Sequence, residues 1–241
     1  MKHFIFAKVP RTASETMSAV FEDQHPDYVR CGDVETATRL HRNEKMWGSV
    51  CYNHLPVAYL KKENIVTDAF LADRVKFSFV RNPFDRLVSY WRLKSGEAIR
   101  APILKDCKTF SDFVHKLYYK KSYVPNFRCG GYNLVEPQWR WIPPWFDFVG
   151  SYERLHEDFA VLCEMIGHSM KIDRRVSFHP DTSEQRKHYT EYYDNKTEQL
   201  VSHIYKDDFM AFGYTGLGCQ EPYDSKTILK NLRKTWKVAV K

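Results

Sequence analysis

The chain has 241 residues, 43% hydrophobic and 15% aromatic, enough for one full core and unlike a disordered or fibrous protein. Its formal net charge of +7 points to an anionic partner. No run of five Lys/Arg marks a nucleic-acid segment, so a small anionic cofactor or an acidic substrate fits at least as well, and nucleic acid is not the expected partner.

The apolar run Phe4-Ile5-Phe6-Ala7 opens a strand over residues 3–9. Pro10 and then Arg11-Thr12-Ala13-Ser14-Glu15-Thr16 form a tight turn, rich in backbone and hydroxyl donors, that leads into a helix over 15–21. Strand, donor-rich turn and helix N-terminus together cradle an anionic phosphate group. The turn contains no glycine and no Gly-Lys-Ser/Thr, both of which a nucleoside triphosphate loop requires.

Short β-rich runs follow at residues 28–31 and 49–52, and His54 just beyond the second is placed at the same carboxyl edge as Arg11. An imidazole there is a candidate general base; the other nine histidines read as surface or helix residues. The strand over 75–80 ends in Val80 and delivers Arg81 to that edge. Pro83 suits the first turn of a helix over 83–91 that carries Ser89. Arg81 and Ser89 are placed to grip one phosphate by guanidinium fork and hydroxyl. The alternative is an ordinary strand-to-helix junction with Arg81 paired to Asp85. A phosphotransferase ends a core strand in Asp to help hold magnesium, whereas a cation here suits a metal-free anion.

A helix is expected over 110–117, followed by an aperiodic stretch over 123–145 crowded with proline, glycine and aromatics. Trp91, Trp139 and Trp141 offer indole faces to an acceptor, and Arg128 or Arg140 offers charge to an acidic one; the alternative is a core-packing lid. A strand over 146–150 precedes a helix over 156–166 with Phe159, Leu162 and Ile166 on one face. Residues 183–189 carry Arg186 and Lys187 as further phosphate contacts or as a solvated charge run. Another helix lies within 189–212, with Leu200, Val201, Ile204, Tyr205 and Phe209 at helical spacing, and Gly213 stops it.

Strands alternating with helices predict a single α/β domain, residues 1–218, with a central, mostly parallel sheet flanked by helices and its ligand at the carboxyl ends of the strands. Residues 219–241 form a basic C-terminal tail, expected to be peripheral. Six cysteines without a Cys-x-x-Cys pair read as free thiols rather than a zinc site. No stretch approaches the ~20 apolar residues of a membrane span. With a strand beginning almost at Met1 there is no room for a signal peptide, so a cytoplasmic protein is expected, and the Asn195-Lys196-Thr197 sequon is incidental.

Val9-Pro10-Arg11-Thr12-Ala13-Ser14 followed by Phe79-Val80-Arg81-Asn82-Pro83-Phe84-Asp85-Arg86-Leu87-Val88-Ser89-Tyr90 resembles the sulfotransferases that use 3'-phosphoadenosine-5'-phosphosulfate, above all the carbohydrate-type group that includes heparan sulfate 2-O-sulfotransferase and bacterial relatives. The likeness runs on through Asn53-His54-Leu55-Pro56, Phe148-Val149-Gly150-Ser151-Tyr152-Glu153-Arg154-Leu155 and residues 189–214. It implies a P-loop-like α/β fold. It also implies that residues 11–16 bind the 5'-phosphosulfate, that Arg81 and Ser89 bind the 3'-phosphate, that the segment with Arg186 and Lys187 reaches the nucleotide, and that His54 is the base. The implied reaction moves a sulfuryl group to a hydroxyl of a carbohydrate or small-molecule acceptor, with adenosine 3',5'-bisphosphate as product and no metal. The loop departs from the family twice, with Arg11 where lysine is usual and Glu15 where a small hydroxyl residue is usual. Two competing classes remain: a small-molecule kinase on a related fold, and a non-catalytic nucleotide- or polyanion-binding module.

Overall fold

The computed structural model describes residues 1–42, 48–92, 102–104, 106–120, 134–172, 187–219 and 221–239. Five short strands, β1 (Phe4–Ala7), β2 (Tyr28–Arg30), β3 (Ser49–Cys51), β4 (Val75–Val80) and β5 (Phe148–Ser151), form one sheet in the order β2-β3-β1-β4-β5. Every pairing is parallel, with Phe6 opposite Cys51 on one side and Phe77 on the other. After β1 the chain builds toward one edge through β2 and β3; after β4 it builds toward the other. The order therefore reverses at the β1/β4 junction, where an open α/β sheet has its ligand crevice.

The sheet is buried on both faces because residues alternate along each strand. Phe4, Phe6, Phe77, Phe79 and Phe148 point to one side, where α1 (Ser14–Gln24) packs Met17, Val20 and Phe21, and α7 (Leu155–Ile166) packs Phe159, Leu162 and Ile166. Ile5, Ala7, Val50 and Val149 point to the other, against Val57 and Leu60 of α3 (Val57–Lys62), Trp141, and Ala211 and Phe212 of α9 (Lys206–Phe212). The remaining helices before β4 are α2 (Val34–Arg42) and α4 (Asp68–Ala72). Beside the sheet a third cluster joins Phe84, Leu87 and Val88 of α5 (Pro83–Trp91) to Phe113 and Leu117 of α6 (Phe110–Lys120) and Val201 of α8 (Asn195–Ile204). Gly150 lets β5 close onto its neighbour, since a Cβ there would meet the Phe79 ring at 2.4 Å.

Two expectations change. The helix within 189–212 is two helices, α8 and α9, broken at Tyr205 and preceded by a 3-10 turn over Tyr189–Tyr192; Gly213, at φ 87°, ends α9 as expected. The tail is not peripheral over its length. Ser225–Ala239 is a helix, α10, whose Ile228 and Leu232 are fully buried in the cluster that includes Val149 and Phe212. Its amphipathic spacing places the apolar positions inward and the cations outward. Among the described residues no helix is long and apolar enough to cross a membrane.

Candidate active site

The loop after β1 makes its turn with two non-glycine residues in the left-handed region, Arg11 at φ 67° and Ala13 at φ 59°. Such residues are uncommon there and are held by what surrounds them. Thr12, fully buried, donates its hydroxyl to the Val9 carbonyl at 3.0 Å. Arg86, buried on α5, donates to the Pro10 carbonyl at 3.0 Å and to the Leu134 carbonyl at 2.8 Å. The left-handed Ala13 is the N-cap of α1 and supplies no side-chain cap, so the first-turn amides stay available to an anion.

The second motif meets this loop. Asn82 caps α5 by accepting the Phe84 amide at 2.9 Å, with Pro83 in the first turn. Arg11 donates to the Ser89 hydroxyl oxygen from Nε at 3.1 Å and from Nη2 at 2.9 Å. Arg81 is ion-paired with Asp85 at 2.6 Å, lies over the Tyr152 ring at 3.9 Å, and donates from Nη1 to the Arg11 carbonyl at 3.3 Å. The pairing with the local acid Asp85 is thus present, and the same guanidinium also reaches the main chain of the Arg11 loop. A cleft of about 410 Å³, lined in part by Asp85, Tyr152, Glu153 and Tyr189, opens beside this group.

His54 follows β3 as expected. Its Nδ1 lies 2.9 Å from the Lys8 carbonyl oxygen, an acceptor only, so Nδ1 carries the proton. Among the described residues nothing else hydrogen-bonds the ring, and Nε2 is left as the bare nitrogen. Burial, reinforced by the Lys8 ammonium, pushes the imidazole down to about 4. The Trp141 indole donates to the His54 carbonyl at 3.4 Å and fixes the backbone from behind.

Several assigned residues do something different. Glu15, expected to contact the cofactor, has its carboxylate held by Lys8 at 2.5 Å and Arg30 at 2.8 Å, so its side chain is turned to cations and only its amide belongs to the cradle. Partial burial pushes that carboxyl up, but the Lys8 hydrogen bond and the Lys8 and Arg30 charges outweigh it and hold the group below its ordinary value. Trp141 is fully buried in the core and presents no face to an acceptor. Trp139 packs edge-on against Trp236 at 5.4 Å. Trp91 lies against the Phe113 ring at 5.8 Å and the Phe110 ring at 6.1 Å. The core-packing alternative therefore describes Trp141, while Trp139 and Trp91 are partly buried and pack against the core clusters. Arg140 is exposed and ion-paired with Glu136. Lys187 has an exposed side chain, while its carbonyl accepts from Arg92 at 2.7 Å. Arg128 and Arg186 lie outside the described residues.

Four residues to which the sequence assigns no role also shape the site: Lys8, Arg86, Gln138 and Asp208. Lys8 is fully buried, and burial lowers its pKa; a lysine inside the run FIFAKV is itself a visible anomaly. Gln138 clasps the main chain of Arg81, accepting its amide at 2.9 Å and donating to its carbonyl at 2.8 Å. Buried Asp208 on α9 in turn accepts the amides of Gln138 at 2.8 Å and Trp139 at 3.0 Å.

The donor set suits an anion: the guanidiniums of Arg11 and Arg81, the Ser89 hydroxyl and first-turn amides without a side-chain cap, with the neutral His54 imidazole at the end of the neighbouring strand. Among the described residues no cluster of His, Cys, Asp and Glu could hold a metal ion. Carbohydrate sulfotransferase 14 from Danio rerio is 27% identical over 165 residues, 58% of this chain. The match covers 43% of that relative, so this chain spans less than half of its length. The crystal structure of mouse sulfotransferase SULT7A1 complexed with PAP matches at a TM-score of 0.52, over 86% of this chain and 84% of that one, at 12% identity, a likeness of fold. A family model described as the sulfotransferase family matches residues 1–215, which takes in the loop over 11–16, the segment from Arg81 to Ser89 and His54, and the chain belongs to that family.

Proposed function

We propose that this chain transfers a sulfuryl group from 3'-phosphoadenosine-5'-phosphosulfate to a hydroxyl of a carbohydrate or small-molecule acceptor, without a metal. The likeness to a carbohydrate sulfotransferase supports a carbohydrate as that acceptor. The observation that carries the reading is the hydrogen bond from the Arg11 guanidinium to Ser89, which joins the two loops at the β1/β4 junction, with Arg81 reaching the Arg11 carbonyl beside it. Arg81 is charge-paired with Asp85, while Arg11 sets its guanidinium against a hydroxyl, and a cation beside a hydroxyl at a helix N-terminus is an arrangement for an anion.

When bound, the phosphosulfate supplies an electrophilic sulfur and a phosphate leaving group. Arg11 and the amides of residues 12–16 hold the 5' end, and Arg81 and Ser89 hold the 3'-phosphate, with Arg186 and Lys187 as added cations. Arg11 neutralises charge as it moves to the leaving oxygen, a preorganised electrostatic contribution. His54, neutral with Nε2 bare, takes the acceptor's proton at Nε2 while the Lys8 carbonyl holds Nδ1–H and the ring's orientation. Glu15 keeps the buried Lys8 compensated, so the loop tolerates a lysine beneath it.

Calorimetry with adenosine 3',5'-bisphosphate against ATP plus magnesium tests the nucleotide, and sulfate transfer by the parent chain and by His54→Ala tests the chemistry. The bisphosphate should bind tighter, and His54→Ala should keep that affinity while losing transfer. Tighter ATP binding would return the chain to the kinase class, and transfer unaffected by His54→Ala would remove the base.

A further inference from the structure

Helix α10 carries Lys226, Lys230, Arg233, Lys234 and Lys237 and no acidic residue. Five of the chain's seven net positive charges are thus on one helix. Lys226, Lys230, Arg233 and Lys237 follow the i, i+4, i+7, i+11 spacing that lines one face of a helix, with Lys234 at its border. At 1.5 Å per residue the stripe is about 16 Å long. All five are exposed, and none forms an ion pair among the described residues. Like charges at i, i+4 repel, so the stripe works against the helix that bears it.

The opposite face anchors the stripe. Ile228 and Leu232 are fully buried, Leu229 nearly so, and the Trp236 indole donates to the Ile142 carbonyl at 3.0 Å. Trp236 also meets Trp139 edge-on, two residues from the Trp141 that bonds the His54 carbonyl. The stripe is therefore a rigid surface continuous, through residues 139–142, with the backbone of the candidate base.

We infer that the outer face of α10 is a docking track for an extended acidic polysaccharide. The inference rests on the reading of the site as one that sulfates a carbohydrate hydroxyl, and it assigns the polymer a foothold outside that site. A bilayer is disfavoured because an interfacial helix sinks its apolar face into lipid, and here that face is already in the core. Single-stranded nucleic acid is disfavoured because the stripe carries no aromatic ring on which bases stack. Evenly spaced cations, ammonium groups except for the Arg233 guanidinium, suit a flexible chain of carboxylates or sulfates bound by charge alone.

Anisotropy of fluorescein-labelled hyaluronan, titrated with the full chain at several salt concentrations, tests the track, with labelled dextran as the neutral polymer. The parent should bind hyaluronan over dextran and lose binding as salt rises. K226Q/K230Q/R233Q/K237Q should weaken hyaluronan about tenfold or more and flatten the salt dependence. Its melting temperature should equal or exceed the parent's, since the i, i+4 repulsion is removed, and its affinity for adenosine 3',5'-bisphosphate should match the parent's. K2Q/K62Q/K171Q/K196Q removes the same charge from exposed positions elsewhere and should retain most of the binding. Equal losses in the two variants would overturn the track in favour of net charge. Tighter binding to phosphatidylserine vesicles or to poly(dT) than to hyaluronan would overturn the assigned partner. A chain that transfers sulfate to no acceptor, yet loses hyaluronan on the stripe substitutions alone, upholds the track and removes the catalytic reading.

Discussion

Arg11 and Ser89 stand 78 residues apart in the chain, yet the guanidinium donates to the one hydroxyl oxygen from both Nε and Nη2, at 3.1 and 2.9 Å. With both lone pairs of Oγ engaged, the Ser89 proton is directed elsewhere, toward an acceptor such as a phosphate oxygen. Ser89→Ala should therefore remove a charge-assisted bond and weaken adenosine 3',5'-bisphosphate by about 1.5 to 3 kcal/mol. Arg81→Ala should cost a similar amount. Calorimetry reads both, and an unchanged affinity in Ser89→Ala would take that hydroxyl out of the nucleotide site.

Among the described residues the His54 ring is hydrogen-bonded through Nδ1 alone, so a side chain that keeps the donor and loses the base isolates its chemistry. His54→Gln should lower kcat by roughly 10² to 10⁴ with little change in bisphosphate affinity. The pH profile adds a sign. Burial and Lys8 hold the folded imidazole near 4, so the base form persists well below the ordinary histidine range. The acid limb of kcat/KM, which reports the free enzyme, should fall through about 4 rather than near 6.5. Lys8→Met removes the second of those causes and should move the limb upward. A parent limb near 6.5 would mean that the ring is solvated and lacks this environment.

Asp208 supports the clasp on Arg81 from behind. Burial pushes its carboxyl up to about 6 against the hydrogen bonds that favour the anion. A carboxyl raised on folding stabilises the native state most fully below its unfolded value, and that contribution is lost as pH rises through the folded value. Between about pH 4 and 6, stability should decline by up to roughly 3 kcal/mol from this group. Asp208→Asn cannot titrate and should flatten that segment of a pH series of urea melts. A slope that survives the substitution would place its origin in another group.

The parts of the site legible in the sequence are those that leave strand ends. Arg11, His54 and Arg81 each follow an apolar run closely, and in a parallel sheet those run ends share one edge, so their placement along that edge follows from topology alone. Gln138 and Asp208 are different. They act 57 and 70 residues from their partners through single polar contacts, which leave no period to read. The indoles of Trp139 and Trp141 sit in an aperiodic stretch, where composition announces aromatics but not whether they face inward. In α10 the period was present, with Ile228, Leu229, Leu232 and Trp236 at helical spacing, but the dominant cations disguised a core helix as a tail.

Leu232 and Val238 offer a contrast that tests whether α10 belongs to the core. Both are apolar residues in α10, but Leu232 is fully buried between the sheet and α9, and Val238 is 78% exposed. If α10 is part of the core, Leu232→Ala removes buried methyl groups and leaves a cavity, which should lower unfolding stability by about 2 to 5 kcal/mol. Val238→Ala touches no packed surface and should stay within about 0.5 kcal/mol of the parent. Urea denaturation followed by the fluorescence of the six tryptophans measures both. Equal, small effects at the two positions would mean that the helix detaches from the domain in solution. A large loss confined to Leu232 makes α10 structural, which is the rigidity its outer row of cations needs to act as a surface.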